Sequence, residues 1–384
     1  MIYRKIMEEK KLVPEIRFKG YDEAWNSLPF SKIVNRSSSI SFDETVPSVE
    51  YEDILSGEGR LNKDIHQKTI HKTGQRFSNG DILFGKLRPY LRNNLLSDFE
   101  GIAVGDFWIF KEGLAKTDFV YPFIYSHDFD FISNISSGSK MPRSDWQLIS
   151  VWNFNIPLNS NEQQEIGKYF KKLDGLIADT EKEIERLEKL KTASLQKMFP
   201  QPDESVPQIR FKGFTEPWKK YKLGDILVIG NGRDYKHLND GNIPVFGTGG
   251  LMTYVDDYLY DGESVFIGRK GTIDKPYYFK GKFWTVDTLF YTHSFKNSIP
   301  LFLYPLFQTI DWNNHNMATG VPSLSKDTIE QIIVVSPTLE EQKAIGEYFR
   351  NLDNIIKKKK KKVSQLRNLK KASLSKMFVN TAKQ

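Results

Sequence analysis

The chain has 384 residues, of which 39% are hydrophobic and 13% aromatic, so it can form two packed domains and is not a disordered chain. It contains no cysteine, which excludes disulfides, thiolate catalysis and cysteine-ligated zinc. Lys and Arg number 55 against 48 Asp and Glu. The resulting net charge of +7 favours a polyanionic partner only weakly, because an ordinary basic protein has the same balance.

Targeting signals are not apparent in the sequence. Its most apolar stretches, such as residues 301–307, are far shorter than the roughly 20 residues that span a bilayer. The first 13 residues carry charges throughout and lack the hydrophobic core of a signal peptide. These features predict a cytoplasmic protein.

A segment near the N-terminus is repeated in the second half of the chain. Residues 14–20, PEIRFKG, recur as residues 207–213, PQIRFKG, with six of seven residues identical. The tryptophan that follows, Trp25, recurs as Trp218 at the same offset of 193 residues. This pattern indicates an internal duplication.

A second block marks the end of each repeat. Residues 191–199, KTASLQKMF, match residues 370–378 at seven of nine positions, with an offset of 179. The second repeat is therefore 14 residues shorter, and the deficit lies between the blocks, where the two sequences match poorly. Each repeat is a variable middle within matching ends, as expected if each middle recognises something different.

Both variable middles read as short strands and loops with helical turns towards their ends. Residues 81–92, DILFGKLRPYLR, predict a strand that leads into a basic loop with aromatics, and the counterpart begins at residues 263–272, ESVFIGRKGT. Glycine and basic side chains on such loops can approach phosphates closely, and arginine can read guanine. Surface charge without a role is the alternative. The glycine-rich segments 230–232 and 247–250 are explained equally well by phosphate binding and by tight turns.

Two long helices are predicted at equivalent places. Asn159 and Thr338 each stand three residues before a glutamate, which is the signature of a helix start. Apolar residues then follow at alternating steps of four and three, a heptad seam that is expected to be buried only against another helix. The seam residues are Ile166, Phe170, Leu173, Ile177, Ile184, Leu187, Ile345, Phe349, Leu352, Ile356, Val363 and Leu366. Each helix is predicted to reach Phe199 or Phe378, roughly 58 Å at 1.5 Å per residue, and Pro200 ends the first.

Antiparallel pairing of these helices is favoured over parallel pairing, because the two repeats must then point in opposite directions. Two separate core helices in two domains are the alternative. Both seams are interrupted at equivalent positions, Thr180 and Lys359. Lys359 belongs to a run of six lysines, residues 357–362, which is either a solvated helix face or a contact for DNA phosphates or an acidic partner.

Catalytic signatures are missing. Residues 80–86 fit the spacing G-x-x-x-x-G-K, but Leu87 stands where a metal-binding Ser or Thr is required, and the intervening residues resemble a strand. The sequence contains neither an N-P-P-Y-type methyltransferase motif nor a suitably spaced glycine-rich cofactor loop, and its six histidines form no H-E-x-x-H pair. We therefore predict no catalytic residue and no metal site.

The matching ends carry a resemblance to a known family. The segment PxIRFKG(Y/F)xxxW precedes each middle, and EQxxIGxYFxxLDxxI…L…LKxASLxKMF follows it. Together with the run GDILFGKLRPY, this pattern resembles the specificity subunits of type I restriction–modification systems, over essentially the whole chain.

The resemblance implies an α+β fold with two pseudo-symmetric α/β target recognition domains, joined by two long antiparallel helices that form a coiled coil. The implied domains are a first target recognition domain at residues 1–158, a first spacer helix at 159–200, a second target recognition domain at 201–337 and a second spacer helix at 338–384. Each target recognition domain would bind one half of a bipartite, asymmetric site in double-stranded DNA. The side chains predicted to contact DNA are Lys86, Arg88, Tyr90, Arg92, Lys140, Arg143, Arg269, Lys270, Thr272, Lys275, Thr319 and Ser323.

The resemblance also implies partners. The helices would set the gap between the half-sites and dock two modification (methyltransferase) subunits, and restriction (motor-nuclease) subunits would join for cleavage. S-adenosylmethionine, ATP and Mg would then be bound by those partners, and this chain would bind no cofactor and catalyse nothing. Two other classes stay open: an enzyme fused to DNA readers, which the missing motifs disfavour, and a coiled-coil scaffold, which salt-sensitive DNA binding would exclude.

Overall fold

The computed structural model describes residues 12–68, 72–135 and 141–379; Lys140, one of the residues predicted to contact DNA, lies outside them. The chain divides into two compact units. The first unit comprises residues 1–180 and 362–384, and the second comprises residues 181–361. Among the described residues, no helix combines the length and the apolar character needed to cross a membrane.

The first unit contains short strands and helices that lead into a long helix. Its strands are β1 (Asn26–Pro29), β2 (Val34–Ser37), β3 (Ile40–Ser41), β4 (Ser48–Val49), β5 (Ile54–Leu55), β6 (Arg60–Leu61), β7 (Gly74–Phe77), β8 (Ile82–Gly85), β9 (Leu95–Leu96), β10 (Gly101–Ala103), β11 (Phe107–Glu112) and β12 (Asn153–Ile156). Its helices are α1 (Phe30–Ile33), α2 (Thr117–Phe123), α3 (His127–Asn134), α4 (Trp146–Val151) and the first part of α5 (Ser160–Met198). Two four-stranded sheets have the orders β3-β7-β10-β4 and β2-β11-β8-β9.

The second unit contains a larger sheet. Its strands are β13 (Lys219–Lys222), β14 (Val228–Asn231), β15 (Asp240–Gly247), β16 (Gly250–Val255), β17 (Tyr260–Gly268), β18 (Tyr277–Thr285), β19 (Leu289–His293) and β20 (Ile333–Ser336). Its helices are α6 (Leu223–Ile226), α7 (Pro300–Thr309), α8 (Lys326–Gln331) and most of α9 (Leu339–Lys376). Six strands form one sheet with the order β14-β19-β17-β18-β15-β16.

A two-stranded antiparallel ladder closes each variable middle. In the first unit β1 pairs with β12, and in the second β13 pairs with β20. Each pair joins the strand that follows the repeated tryptophan to the strand that precedes a long helix. The two ends of each middle are therefore held together, and sequence between them can vary without moving its attachment points.

The repeated IRFKG segment is explained by a buried ion pair. The guanidinium of Arg17 donates to both oxygens of Glu162, at 2.6 and 2.8 Å, and the indole N–H of Trp25 donates to the same carboxylate at 3.2 Å. Arg210 and Glu341 make the same paired contacts, at 2.6 and 2.7 Å. The side chains of these two glutamates, at the start of each long helix, thus bind the arginine of the preceding repeated segment.

Both long helices begin and end close to the predicted residues. The side chain of Asn159 accepts hydrogen bonds from the backbone N–H groups of Asn161 and Glu162, which satisfies donors that the first turn leaves open. Thr338 accepts from the N–H of Glu341 at 3.4 Å. Pro200 follows the end of α5 almost directly, because proline cannot continue the hydrogen-bond ladder.

Within each unit the two long helices run antiparallel, as predicted. In the first unit the hydroxyl of Tyr169 lies 2.8 Å from that of Ser373, and Asp174 pairs with Lys370, so numbers rise along α5 as they fall along α9. The second unit repeats the pattern. There Ser194 lies 2.9 Å from Tyr348, and Lys191 lies 2.7 Å from Asp353.

The seam residues differ in their surroundings. Ile166, Phe170, Leu173, Ile184, Ile345, Phe349, Leu352 and Ile356 are buried, and Ile177, Leu187, Val363 and Leu366 are half-buried. The expectation of burial only against another helix is wrong for the first turns. Phe170 belongs to the aromatic core of the first unit, stacked on Phe378, and Phe349 belongs to the core of the second unit. The first turns of each long helix therefore pack on the globular core of one unit, and its later turns pack against the other long helix.

The interruptions of the seam are accommodated in two ways. Thr180 is 5% exposed, and its hydroxyl donates to the carbonyl of Leu176. Lys359 instead reaches the carboxylate of Glu183 at 2.6 Å, and Lys360 reaches Glu188 at 2.7 Å. Part of the lysine run is therefore paired to the neighbouring helix.

Candidate nucleic-acid interface

The first basic loop, residues 86–92, leaves strand β8, and three of its backbone hydrogen bonds join it to residues 106 and 142–144. Lys86 donates its N–H to the carbonyl of Asp106 at 2.9 Å and accepts from the N–H of Ser144 at 2.9 Å. Arg88 donates its N–H to the carbonyl of Pro142 at 2.8 Å. The loop is thus held between two other segments of the same unit.

Two arginines give this loop an unusual backbone. Arg88 has a φ of 49° and Arg92 a φ of 54°, on either side of a 3₁₀ helix, Pro89–Leu91. The left-handed conformation costs a non-glycine residue roughly 1–2 kcal/mol. It persists where surrounding bonds determine it, and such positions are often functional.

The second basic loop, residues 269–275, has the same three bonds. Arg269 donates its N–H to the carbonyl of Thr288 at 2.8 Å and accepts from the N–H of Leu324 at 2.9 Å. Gly271 donates to the carbonyl of Pro322 at 2.8 Å. Gly271, with a φ of 93°, therefore occupies the place of Arg88 without steric cost.

A glycine is required where the second basic loop begins. A Cβ atom on Gly268 would lie 2.0 Å from the carbonyl oxygen of Thr272, which is far inside contact distance. The close approach of these two residues makes the loop compact. Thr272 is half-buried, and Lys275 is exposed beyond it.

Carboxylates already hold most cations of the first basic loop. Lys86 and Arg143 share Asp106, at 3.6 and 3.0 Å, and Arg92 pairs with Asp130 at 3.1 Å. The side chain of Arg88 is exposed and has no partner among the residues that the structure describes. Tyr90 is 55% exposed beside it.

The predicted residues of the second unit divide in the same way. The guanidinium of Arg269 donates to the carbonyl of Asp287 at 3.2 Å and lies over the ring of Phe290. Lys270 is exposed and forms a β-bridge with Ser323, which brings two of the predicted residues together. Thr319 is exposed.

Sequence reasoning missed one residue of this region, Tyr51. Its hydroxyl accepts from the N–H of Leu87 at 3.1 Å and donates to the carbonyl of Asp106 at 2.5 Å. A cavity of about 530 Å³ opens here, with Tyr51, Leu87, Arg88 and Leu91 in its wall. Tyr51 lies in the first variable middle, far along the chain from the loop, so no motif or repeat signalled it.

Within the three described ranges, no three or more His, Asp or Glu side chains are grouped so that they could hold a metal ion.

Comparisons with known proteins find matches in both sequence and fold. Residues 215–366 match the family model described as the type I restriction modification DNA specificity domain. The type I restriction enzyme MjaVIII specificity subunit of Methanocaldococcus jannaschii is 24% identical over 341 residues, which cover 73% of this chain and 76% of that protein. Residues 215–366 thus match a DNA specificity domain, and the chain as a whole resembles the specificity subunits of type I restriction–modification systems.

Solved structures share the fold of this chain. The crystal structure of a type I restriction–modification S subunit from M. genitalium has a TM-score of 0.71 at 17% identity, covering 96% of this chain and 100% of that one. A chain from a study of complex assembly and conformational transition of the type I R-M system has a TM-score of 0.51 at 15% identity, covering 91% and 96%. The chain therefore has the expected mixed fold of helices and sheets, and residues 215–366 match a DNA specificity domain.

Proposed function

We propose that this chain is a DNA specificity subunit and that each basic loop binds one half of a bipartite, asymmetric site in double-stranded DNA. One observation carries the proposal: both loops have the same three backbone hydrogen bonds but present different side chains. Two loops with the same backbone hydrogen bonds and different side chains can be held in the same way while they contact different DNA sequences. Phosphate contacts would fix each unit on the duplex, and side chains on the loops would read base edges.

The unpaired cations are the first candidates for direct contact. Arg88 in the first unit and Lys270 and Lys275 in the second are exposed, and their side chains have no hydrogen bond or ion pair among the residues that the structure describes. Lys86, Arg92 and Arg143 would first have to exchange a carboxylate for a phosphate or a base. We retain all the predicted DNA-contacting residues as candidates and rank Arg88, Lys270 and Lys275 highest.

The long helices are proposed to set the gap between the half-sites and to dock two modification subunits. Half-site spacing follows from the geometry of the protein that carries the two readers. Restriction subunits would join this assembly, and S-adenosylmethionine, ATP and Mg would be bound by the partners, with no catalysis by this chain. The proposed domain boundaries remain residues 1–158, 159–200, 201–337 and 338–384.

Selection from a pool of random duplex DNA tests the reading function. The full-length chain, with and without modification subunits, is mixed with the pool and the bound sequences are determined. We expect two short, different sequence blocks at a fixed separation, and binding that weakens steeply as salt rises. Binding without sequence preference, or a single recovered block, would contradict the proposal.

Shortening the helices tests the spacing function. One heptad is removed from each long helix, so that the antiparallel contacts within each unit can be kept. We expect the two sequence blocks to stay the same and the gap between them to become shorter. An unchanged gap in a variant that still binds both blocks would exclude the helices as the spacing element.

A further inference from the structure

The two basic loops differ at one hydrogen bond. In the second unit the N–H of Lys270 reaches the carbonyl of Thr288 directly, at 3.3 Å. In the first unit the corresponding donor is Leu87 and the corresponding carbonyl is that of Asp106. There the hydroxyl of Tyr51 stands between them, accepting from Leu87 at 3.1 Å and donating to Asp106 at 2.5 Å.

Tyr51 is fixed from outside the loop. Its ring packs edge-on against Phe107, with centroids 4.5 Å apart and planes at 85°. It begins a short 3₁₀ helix in which the carboxylate of Asp53 accepts the N–H of Glu50 at 2.7 Å. Lys63 holds that carboxylate at 2.9 Å. The ring and the short helix therefore hold the hydroxyl through contacts that lie outside residues 86–92.

The inserted hydroxyl keeps its proton. Burial raises the pKa of the Tyr51 phenol above its ordinary value. A neutral phenol can donate one hydrogen bond and accept another, which is what the geometry at Asp106 and Leu87 requires. Because Leu87 directly precedes Arg88, the same contact fixes the point from which the exposed guanidinium extends.

We propose that Tyr51 is a positioning residue for sequence recognition by the first unit, separating Leu87 from Asp106 and thereby setting where Arg88 meets the DNA. The inference rests on the proposed DNA-reading function of the first basic loop. A recognition side chain has to be held within about 0.5 Å of its productive geometry. The second unit makes the corresponding bond directly, so this requirement applies to one half-site only.

The test is the variant Tyr51→Phe in the full-length chain, which keeps the ring and removes the hydroxyl. Using the bipartite site recovered by selection, binding is competed against duplexes with single-base changes in either half-site. We expect discrimination at the first half-site to fall about tenfold, equivalent to about 1.4 kcal/mol. Discrimination at the second half-site should be unchanged. The amide of Leu87 should also exchange with solvent faster.

Tyr169→Phe is the matched control. It removes one hydroxyl from the same unit, where it bonds Ser373 between the long helices, far along the chain from the first basic loop. It should leave discrimination at both half-sites intact even if it lowers the melting temperature. All binding is measured well below the lowest melting temperature, so loss of folded protein cannot imitate loss of recognition.

Several results would overturn the inference. These are wild-type discrimination in Tyr51→Phe, equal losses at both half-sites, or an equal loss in Tyr169→Phe. Failure of the proposed function is distinguishable, because the wild-type chain would then select no bipartite sequence at all. A wild-type chain that reads both halves beside an unchanged Tyr51→Phe variant rejects only the role of Tyr51.

Discussion

The hydroxyl of Tyr169 lies 2.8 Å from the hydroxyl of Ser373, and Tyr348 meets Ser194 in the same way at 2.9 Å. In each unit the tyrosine comes from the beginning of one long helix and the serine from the end of the other. The blocks that match between the repeats are therefore the ones that complete each unit. Their similarity follows from packing, and the variable middles are free to differ.

Replacing one partner of the ion pair between Arg17 and Glu162 should cost the first unit more stability than replacing any other contact of its matching ends. Glu162 is 1% exposed and Arg17 is 10% exposed at the side chain, so either group left alone is an uncompensated buried charge. We expect Glu162→Gln to lower the free energy of unfolding by about 3 kcal/mol. Urea unfolding of the full chain, followed by fluorescence, measures it.

The control for this prediction replaces both partners by apolar residues, Arg17→Met with Glu162→Leu. Removing both charges avoids the cost of an unpaired one and should recover much of the lost stability. A loss below about 1 kcal/mol in Glu162→Gln, within the range of ordinary exposed ion pairs, would show that the pair is solvated.

Arg88 and Arg92 should differ in their effects on DNA binding. Arg88 is exposed without a side-chain partner among the described residues, and Arg92 is held by Asp130 and by the ring of Tyr125. If Arg88 reads a base, we expect Arg88→Ala to weaken binding at the first half-site by about 1–3 kcal/mol. If Arg88 binds a phosphate, the slope of log affinity against log salt concentration should decrease by about 1. Mobility shift at several salt concentrations separates these outcomes.

Arg92→Ala serves as the comparison on the same loop. Its loss should reduce stability more than DNA affinity, since its guanidinium is engaged within the protein. The assignment of the first basic loop is wrong if Arg88→Ala binds both half-sites as wild type does. A greater affinity loss in Arg92→Ala than in Arg88→Ala would reverse the ranking of the two.

Local rules made part of this structure predictable. The helix starts after Asn159 and Thr338 and the stop at Pro200 depend on a few neighbouring residues, and the structure has them within two residues of prediction. Contacts between distant segments were not predictable. Tyr51 reaches its partners across 36 and 55 residues, within a middle that has no close match in the other repeat.

The pattern of charges in the sequence also could not predict which cations of the basic loops are bound within the protein. Lys86, Arg92 and Arg269 stand out in sequence as unopposed cations on a loop. The structure pairs Lys86 and Arg92 with Asp106 and Asp130, and Arg269 with a backbone carbonyl. Sequence spacing cannot show which carboxylate folds back onto which cation, so it cannot separate paired residues from free ones.

His293 should make the second unit less stable in mild acid. Burial, with a smaller effect of Lys326, lowers the pKa of His293 below its ordinary value of 6.5. The unfolded chain then takes up the proton first as pH falls, so stability decreases below about pH 6.5. We expect His293→Phe, which keeps an aromatic ring between Tyr260 and Tyr291, to flatten this decrease.

Urea unfolding of the wild type and His293→Phe between pH 7.5 and pH 5 measures this linkage, with His66→Gln in the other unit as a control. The wild type and the control should lose stability across the interval together. Equal slopes in all three proteins would mean that His293 takes up its proton as easily in the folded chain as in the unfolded one.

A lysine over a tyrosine ring should stabilise the helix pair in each unit. Lys370 pairs with Asp174 and lies 5.6 Å from the ring centre of Tyr125; Lys191 pairs with Asp353 and lies 5.6 Å from Tyr304. Both contacts are partly exposed, so we expect Lys370→Met to cost about 1–2 kcal/mol of unfolding free energy.

Exchanging the charges of Lys370 and Asp174 separates the contribution of the ion pair from that of the contact with the ring of Tyr125. Lys370→Asp alone sets two carboxylates together and should cost the most, and adding Asp174→Lys restores an ion pair of opposite polarity. The double variant should recover only part of the loss, because a carboxylate beside the ring face of Tyr125 is repelled where an ammonium is attracted. Full recovery would assign the whole effect to the ion pair. If the double variant recovers no stability, the ion pair stabilises this end of α9 only when the positive charge lies beside the ring of Tyr125.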